Sequence, residues 1–271
     1  MKNLRIGCSG WSYKTWVGPF YPDGTKPGDF LKLYSRVFDT VEIDSTFYSI
    51  PADFVVKKWY DSTPDDFIFC PKMPGQITHD NRLNNVDVIL DKFLATIRKL
   101  EPKLGLILIQ MPPSFSYDSG IQALKDFLPI LPTDLEFAVE FRHDSLFNST
   151  VYNMLADHKV TIAWSEIPMA KNPAVSTTTQ AYLRLVGDRS IKESQFGSIQ
   201  KDRNSEINRW AGILDGKKDD IEKAYVYSNN HFQGFGPATA NMMYRALGLE
   251  DRKFTRIQDY LQLQSGQRTL F

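Results

Sequence analysis

Eight short apolar, strand-like runs are spread along the chain, and after the opening one each ends in a polar or charged cluster. They fall at residues 4–11, 40–45, 67–72, 105–110, 136–143, 160–166, 181–187 and 224–230. Stretches with helical patterning separate most of them. Strands alternating with helices build a parallel sheet, and eight such units are what a (β/α)₈ TIM barrel requires. The spacing therefore predicts an α/β fold, one TIM-barrel domain over residues 1–271. In that architecture chemistry sits at the carboxyl ends of the strands, where these polar clusters lie.

Size and composition agree. The 271 residues are close to the ~250 typical of one such barrel. With 42% hydrophobic and 24% charged residues the chain has enough apolar material for a large core. Lysine plus arginine balance aspartate plus glutamate, 32 against 32, so the global basic footprint of non-specific nucleic-acid binding is missing and only a local basic groove would serve. Cys8 and Cys70 lie inside predicted strands and read as small buried residues, with neither disulfide nor metal spacing. No apolar stretch approaches a signal peptide or the ~18 residues of a membrane span, so a soluble cytoplasmic protein is expected.

The i, i+3, i+4, i+7 stripe of an amphipathic helix recurs between the runs. Residues 29–38 carry it through Phe30, Leu33, Tyr34 and Val37; Pro51 opens a second helix; and 86–100 gives the clearest, with Val88, Ile89, Phe93, Leu94, Ile97 and Leu100 on one face. Residues 121–131, 149–158, 206–214 and 236–247 continue the series. Residues 167–180 break it, with two prolines and a Ser-Thr-Thr-Thr run. Helix six is accordingly predicted to be reduced or missing, leaving a loop over the barrel mouth.

Strand alternation sorts the polar residues. Val41 and Ile43 share one face, leaving Glu42 with Thr40 and Asp44 on the other. Phe137, Val139 and Phe141 oppose Ala138, Glu140 and Arg142; Tyr182 pairs with Arg184, and Tyr225 with Tyr227 and Asn229. The large apolar set should face the helices and the alternate set the barrel axis. That gathers Glu42, Lys72, Gln110, Glu140, Arg142, Arg184 and Asn229 around one cavity, with three cations against two anions. Buried charges must pair or await a ligand, and an arginine-rich mouth suits a carboxylate or phosphate.

Several chemistries fit these types. Glu42 and Glu140 would serve as the carboxylate pair of a glycosidase only if one pKa were raised, whereas arginine neighbours keep both ionised. Desolvation would make Lys72 a Schiff-base amine; ion pairing to Glu42 or Glu140 is the alternative expectation. His79, His143 and His231 all follow strands and could meet at the mouth, but they lack metal-type spacing, so no cofactor is predicted and a divalent metal is the less favoured alternative. Trp11, Tyr13, Trp16, Tyr48 and Trp164 offer walls for stacking on a sugar or base, or simply pack the loops.

Taken together the strand-end segments resemble the YecE-like proteins, the family catalogued as domain of unknown function 72. The matching stretches include Ile6-Gly7-Cys8-Ser9-Gly10-Trp11-Ser12-Tyr13, Val41-Glu42-Ile43-Asp44-Ser45-Thr46-Phe47-Tyr48, Lys72 with Thr78-His79, Gln110-Met111-Pro112-Pro113, Glu140-Phe141-Arg142-His143, Tyr182-Leu183-Arg184 and Tyr227-Ser228-Asn229-Asn230. The resemblance implies a (β/α)₈ barrel with a pocket at the strand carboxyl ends, and supplies no established reaction. Its outline is similar to the endonuclease four and sugar isomerase group, which implies phosphoester or sugar chemistry by fold analogy alone. Val186-Gly187 stands where the family usually has His-Gly, and Leu146 where it tends to have Trp.

The expectation is thus an enzyme on a small anionic substrate, a phosphoester or sugar phosphate. Glu42, Glu140 and Lys72 would be its catalytic groups, with Arg142, Arg184, Gln110, Asn229, His79, His143, Trp11 and Tyr48 binding substrate. The competing readings are a non-catalytic protein binding a small ligand or nucleic acid, and a metal-dependent endonuclease with His79, His143 and the glutamates as ligands. Oligomeric state is left open.

Overall fold

The protein's structure, a computed structural model, describes residues 3–268. Every predicted run forms strand: β1 (Asn3–Ser9), β2 (Thr40–Ile43), β3 (Ile68–Pro71), β4 (Ile107–Gln110), β5 (Phe137–Glu140), β6 (Thr161–Ile162), β7 (Trp164–Glu166), β8 (Gln180–Leu185) and β9 (Lys223–Ser228). The sixth run makes two strands, because Ala163 separates a segment pairing with β5 from one pairing with β8. The strands form a six-stranded sheet in the order β3-β2-β1-β9-β8-β7 and a three-stranded sheet β4-β5-β6. All the ladders are parallel. Between the sheets, the Met73 N–H donates to the Leu108 carbonyl (2.8 Å) and Gly105 N–H to the Phe69 carbonyl (2.8 Å).

Helices follow the strands: α1 (Phe30–Tyr34), α2 (Asp53–Asp61), α3 (Asp87–Ile97), α4 (Tyr117–Phe127), α5 (Ser149–Asp157), α6 (Asn204–Gly216), α7 (Asn230–Gln233), α8 (Gly236–Ala246) and α9 (Arg256–Arg268). Helix α4 starts before the apolar stripe does, because Ser116 and Ser119 close a reciprocal capping box there. In α3 the buried face is Leu90, Phe93, Leu94 and Ile97, while Val88 is 85% exposed. The expected stripe holds at Phe93, Leu94, Ile97 and Leu100, and differs in its first turn, where Leu90 rather than Val88 faces the core.

No helix joins β7 to β8. Instead residues 167–180 run back along β6 and β7: Asn172 Nδ2 donates to the Ala163 carbonyl (2.9 Å) and Trp164 Nε1 to the Val175 carbonyl (2.7 Å). Thr177 Oγ1 accepts from Ile162 N–H (2.8 Å) and donates to the Val160 carbonyl (2.7 Å). The missing helix is as expected, whereas the connection expected to lie over the mouth packs back along β6 and β7 instead. Side chains and hydroxyls replace the helix by satisfying backbone groups that water or a helix face would otherwise cover.

Alternation places the core as expected. Val41, Ile43, Leu183, Leu185 and Val226 pack against helices in one cluster, and Ile107, Ile109, Phe137, Val139 and Phe141 in a second. The opposite faces form a third cluster between the two sheets: Cys70, Leu106, Leu108, Ala138, Ala163, Tyr182, Tyr225 and Tyr227. Among the described residues, no helix is long and apolar enough to cross a membrane.

Gly187, just after β8, has φ +79°, and a Cβ there would sit 2.4 Å from the His231 carbonyl oxygen. Gly187→Ala should cost more than about 1 kcal/mol, combining a left-handed backbone with a backbone clash. Thermal denaturation should show a midpoint at least a few degrees lower; an unchanged midpoint would mean the turn relaxes freely.

Candidate functional site

Register brings the charges together. In the ladders Ser9 stands beside Glu42, Glu42 beside Cys70, Gln110 beside Glu140, and Arg184 between Ser165 and Tyr227. Cys70 and Tyr227 belong to the inter-sheet apolar cluster, and the polar members lie beside it, towards the strand carboxyl ends. Here Arg184 holds both glutamates. Its Nε and Nη2 donate side-on to the Glu42 carboxylate (2.8 and 2.7 Å), and Nη1 donates to Glu140 Oε2 (2.5 Å). Arg142 Nε reaches Glu140 Oε1 (2.7 Å), and Tyr182 OH donates to Glu42 Oε2 (2.8 Å).

Glu42 and Glu140 are fully buried, and Arg184 nearly so. Burial works against an ionised Glu140, but the Arg184 and Arg142 guanidiniums outweigh it and pull the carboxyl down to about 2. Burial likewise works against the Arg184 cation, and Glu140 and Glu42 overcome it, raising its pKa well above the ordinary value. Two cations and two anions thus form a charge-neutral floor. The side chains of Ser9 and Ser165 are buried in the same layer, with hydroxyls that have no partner among the described residues.

Above this floor is a hollow of about 270 Å³ whose lining includes Tyr13, Asp44, Tyr48, Lys72, Gln110, Arg142, Arg184, Asn229 and His231. The loop after β8 adds Val186, Arg189, Glu193 and Phe196. The cation excess read from the strands is offset, because Asp44 shares the Glu42 face and Glu193 comes from the loop. Hydrogen-bond commitment is what distinguishes the cations. Arg184 is fully engaged and also lies 3.6 Å from Asp44. Arg142 engages only Nε, leaving both terminal nitrogens uncommitted among the described residues.

Lys72 is 7% exposed, and its Nζ sits 4.0 Å from the Phe47 ring centroid. Among the described residues it makes no ion pair, so the expected pairing to Glu42 or Glu140 does not form; Arg184 and Arg142 have taken those carboxylates. Burial, only partly opposed by Asp44, lowers the amine to about 8. Its backbone is clamped by Thr46, whose hydroxyl donates to the Lys72 carbonyl (2.7 Å) and accepts from its N–H (3.1 Å).

The remaining candidates divide. Gln110 and Asn229 line the hollow, as does the exposed Tyr48. Asn229 caps α7, its Oδ1 accepting from His231 N–H (3.0 Å). His79 stands behind Gln110, whose Nε2 approaches its Nε2 at 3.5 Å; its Nδ1 meets Thr78 Oγ1 at 2.9 Å. Burial, then Lys72 and Arg142, lower His79 to about 4. His143 turns to Ser145 (2.8 Å), and Trp11 packs edge-on against Trp59 at 5.7 Å; neither lines the hollow. Among the described residues no three His, Cys, Asp or Glu side chains converge in a way that would hold a metal ion. His231, burial-lowered and bonded through Nδ1–H to the Ile191 carbonyl (3.0 Å), offers the wall an Nε2 without a partner among the described residues.

A parallel α/β protein with an Arg–Glu floor beneath a polar hollow is the class this geometry defines. Residues 5–263 match the family described as protein of unknown function DUF72, and the chain belongs to that family. The UPF0759 protein YecE of Escherichia coli (strain K12) is 34% identical over 144 residues, 53% of this chain and 50% of that protein. This chain thus spans about half the length of that relative. The UPF0759 protein YunF of Bacillus subtilis (strain 168) is 23% identical across 91% of this chain and 95% of its own. A crystal structure of a DUF72 family protein from Thermotoga maritima superposes with a TM-score of 0.76 at 27% identity, covering 91% of this chain and 99% of that one.

Two outcomes follow from the charges. Arg184→Met strands two buried carboxylates and should cost about 3–5 kcal/mol, read from urea denaturation; a loss under about 1 kcal/mol would show that the floor relaxes or hydrates. Lys72→Met removes a buried, unpaired ammonium and should stabilise the fold. The folded amine at about 8 lies below the ordinary 10.5, so the unfolded chain holds the extra proton between those values. The gain should therefore be full below pH 8 and disappear by about pH 10.5. A gain independent of pH would mean the amine is not desolvated.

Proposed function

We propose that the two sheets close on each other as a (β/α)₈ barrel and that its mouth is the active site of an enzyme on a small anionic substrate, a sugar phosphate or other phosphoester. Closure is supported by the backbone bonds joining β3 to β4 and by Ala163 N–H donating to the Val139 carbonyl (2.8 Å) beside β7. The carrying observation for the substrate is the pair of deeply buried cations with uncommitted donors, Lys72 and the terminal nitrogens of Arg142, facing one small hollow. A guanidinium fork and an ammonium in a desolvated site favour a phosphate or carboxylate over a neutral sugar. Gln110, Asn229 and Tyr48 would orient the polar remainder.

In this reading Glu42 and Glu140 act by holding Arg184 and Arg142 in place, and Lys72 is the reacting or charge-stabilising group. Glu140, ionised down to about 2, is unsuited to donating a proton. The anionic ligand is the expected partner, and a soluble cytoplasmic location fits it. The alternative of a binding protein differs only in lacking turnover.

Calorimetry with glycerol 3-phosphate and glycerol should show binding of the first alone. Arg142→Ala should weaken it at least tenfold, the equivalent of about 1.4 kcal/mol. Equal binding of both compounds, or an unaffected variant, would remove the anion reading.

A further inference from the structure

A lysine that merely carries charge sits in water or against a carboxylate, and Lys72 does neither. Its stem is buried, its Nζ lies against the Phe47 ring, and Thr46 pins its backbone on both sides. The side chain therefore presents a single, restrained amine to the hollow that the uncommitted fork of Arg142 also lines. An ammonium held this way costs stability, which phosphate binding alone would not require, since Arg142 and Arg189 already line the same space.

Resting on the anionic-substrate reading above, we infer that the substrate carries an aldehyde or ketone and that Lys72 holds it as an imine. The neutral amine attacks the carbonyl carbon, forming a carbon–nitrogen bond and a carbinolamine. The carbon–oxygen bond then breaks, and the oxygen leaves as water with the two protons that the amine nitrogen gives up. No oxidant, reductant or metal enters the balance. Arg142 would hold the phosphate or carboxylate end, fixing the carbonyl near Nζ.

The charged groups around Lys72 are Asp44, Arg184, Glu140 and Glu42; the three carboxylates favour the ammonium and Arg184 opposes it, but burial is the largest influence and lowers the amine. An amine at about 8 is roughly one-tenth neutral at pH 7, against well under one part in a thousand for an ordinary lysine. That is the activation an imine-forming lysine needs. Phe47 shields one side of the amine without offering it an acceptor.

The protein is treated with glyceraldehyde 3-phosphate and sodium borohydride, then digested and read by mass spectrometry. The expected result is a reduced adduct at Lys72 forming at least tenfold faster than at any other lysine. Arg142→Ala should slow it at least fivefold without changing labelling elsewhere. Glycerol 3-phosphate, which has no carbonyl, should protect Lys72, and Lys72→Arg should still bind glycerol 3-phosphate while losing the adduct. If glycerol 3-phosphate binds but Lys72 labels no faster than other lysines, the imine is overturned and the anion site stands. If it neither binds nor protects and Lys72 stays unlabelled, both readings fall. Preferential labelling of Lys72 that survives Arg142→Ala unchanged would keep the amine and remove the fork as its anchor.

Discussion

Arg184 is the tie on which the interior depends. It joins β8 to β2 through Glu42 and to β5 through Glu140, and so spans both sheets with one guanidinium. Ions removed from water are tolerable only where geometry returns the lost hydration, and here every oxygen of both carboxylates accepts from a guanidinium nitrogen. Tyr182 adds a further donor from one turn of the alternation below. The layer is neutral in sum, so it can lie directly above an apolar cluster and form the base of a polar hollow. Its cost is that two glutamates are consumed as structural partners.

That consumption governs what the sequence could disclose. Alternation alone correctly separated Val41 and Ile43 from Glu42, Phe137 and Val139 from Glu140, and Leu183 and Leu185 from Arg184, because each strand is packed on both faces. It could not tell which cation would win a carboxylate. Arginine reaches two acceptors with one planar group, so Arg184 and Arg142 take the glutamates and Lys72 is left without one. His143 and Trp11 lie just past strand ends, where the backbone leaves the extended geometry and the two-residue period no longer fixes direction. Arg189, Glu193 and Phe196 come from a polar stretch without periodicity, and nothing in their spacing marks them. The turn after β8 depends on Gly187, whose left-handed backbone lies close against the α7 chain, and the alternation of the run did not mark it.

Family membership spans most of the chain, yet the family's description names no reaction. The departures therefore have to be weighed in place. Val186 lines the hollow, so a histidine at that position would have faced the same space. His231, entering from α7 in the same lining, is neutral and keeps Nε2 available. The wall thus carries an imidazole from α7 although the residue after β8 is aliphatic.

The helix-free return between β7 and β8 leaves the covering of the sheets uneven. Elsewhere a strand's outer face is sealed by apolar stripes; along β6 it is sealed partly by threonine hydroxyls, and at Trp164 by an indole bonded to the Val175 carbonyl and stacked on Trp210. Such polar closures can be exchanged for water one at a time, unlike a packed helix, which must leave as a unit. This flank is where the protein can loosen locally without dismantling its centre.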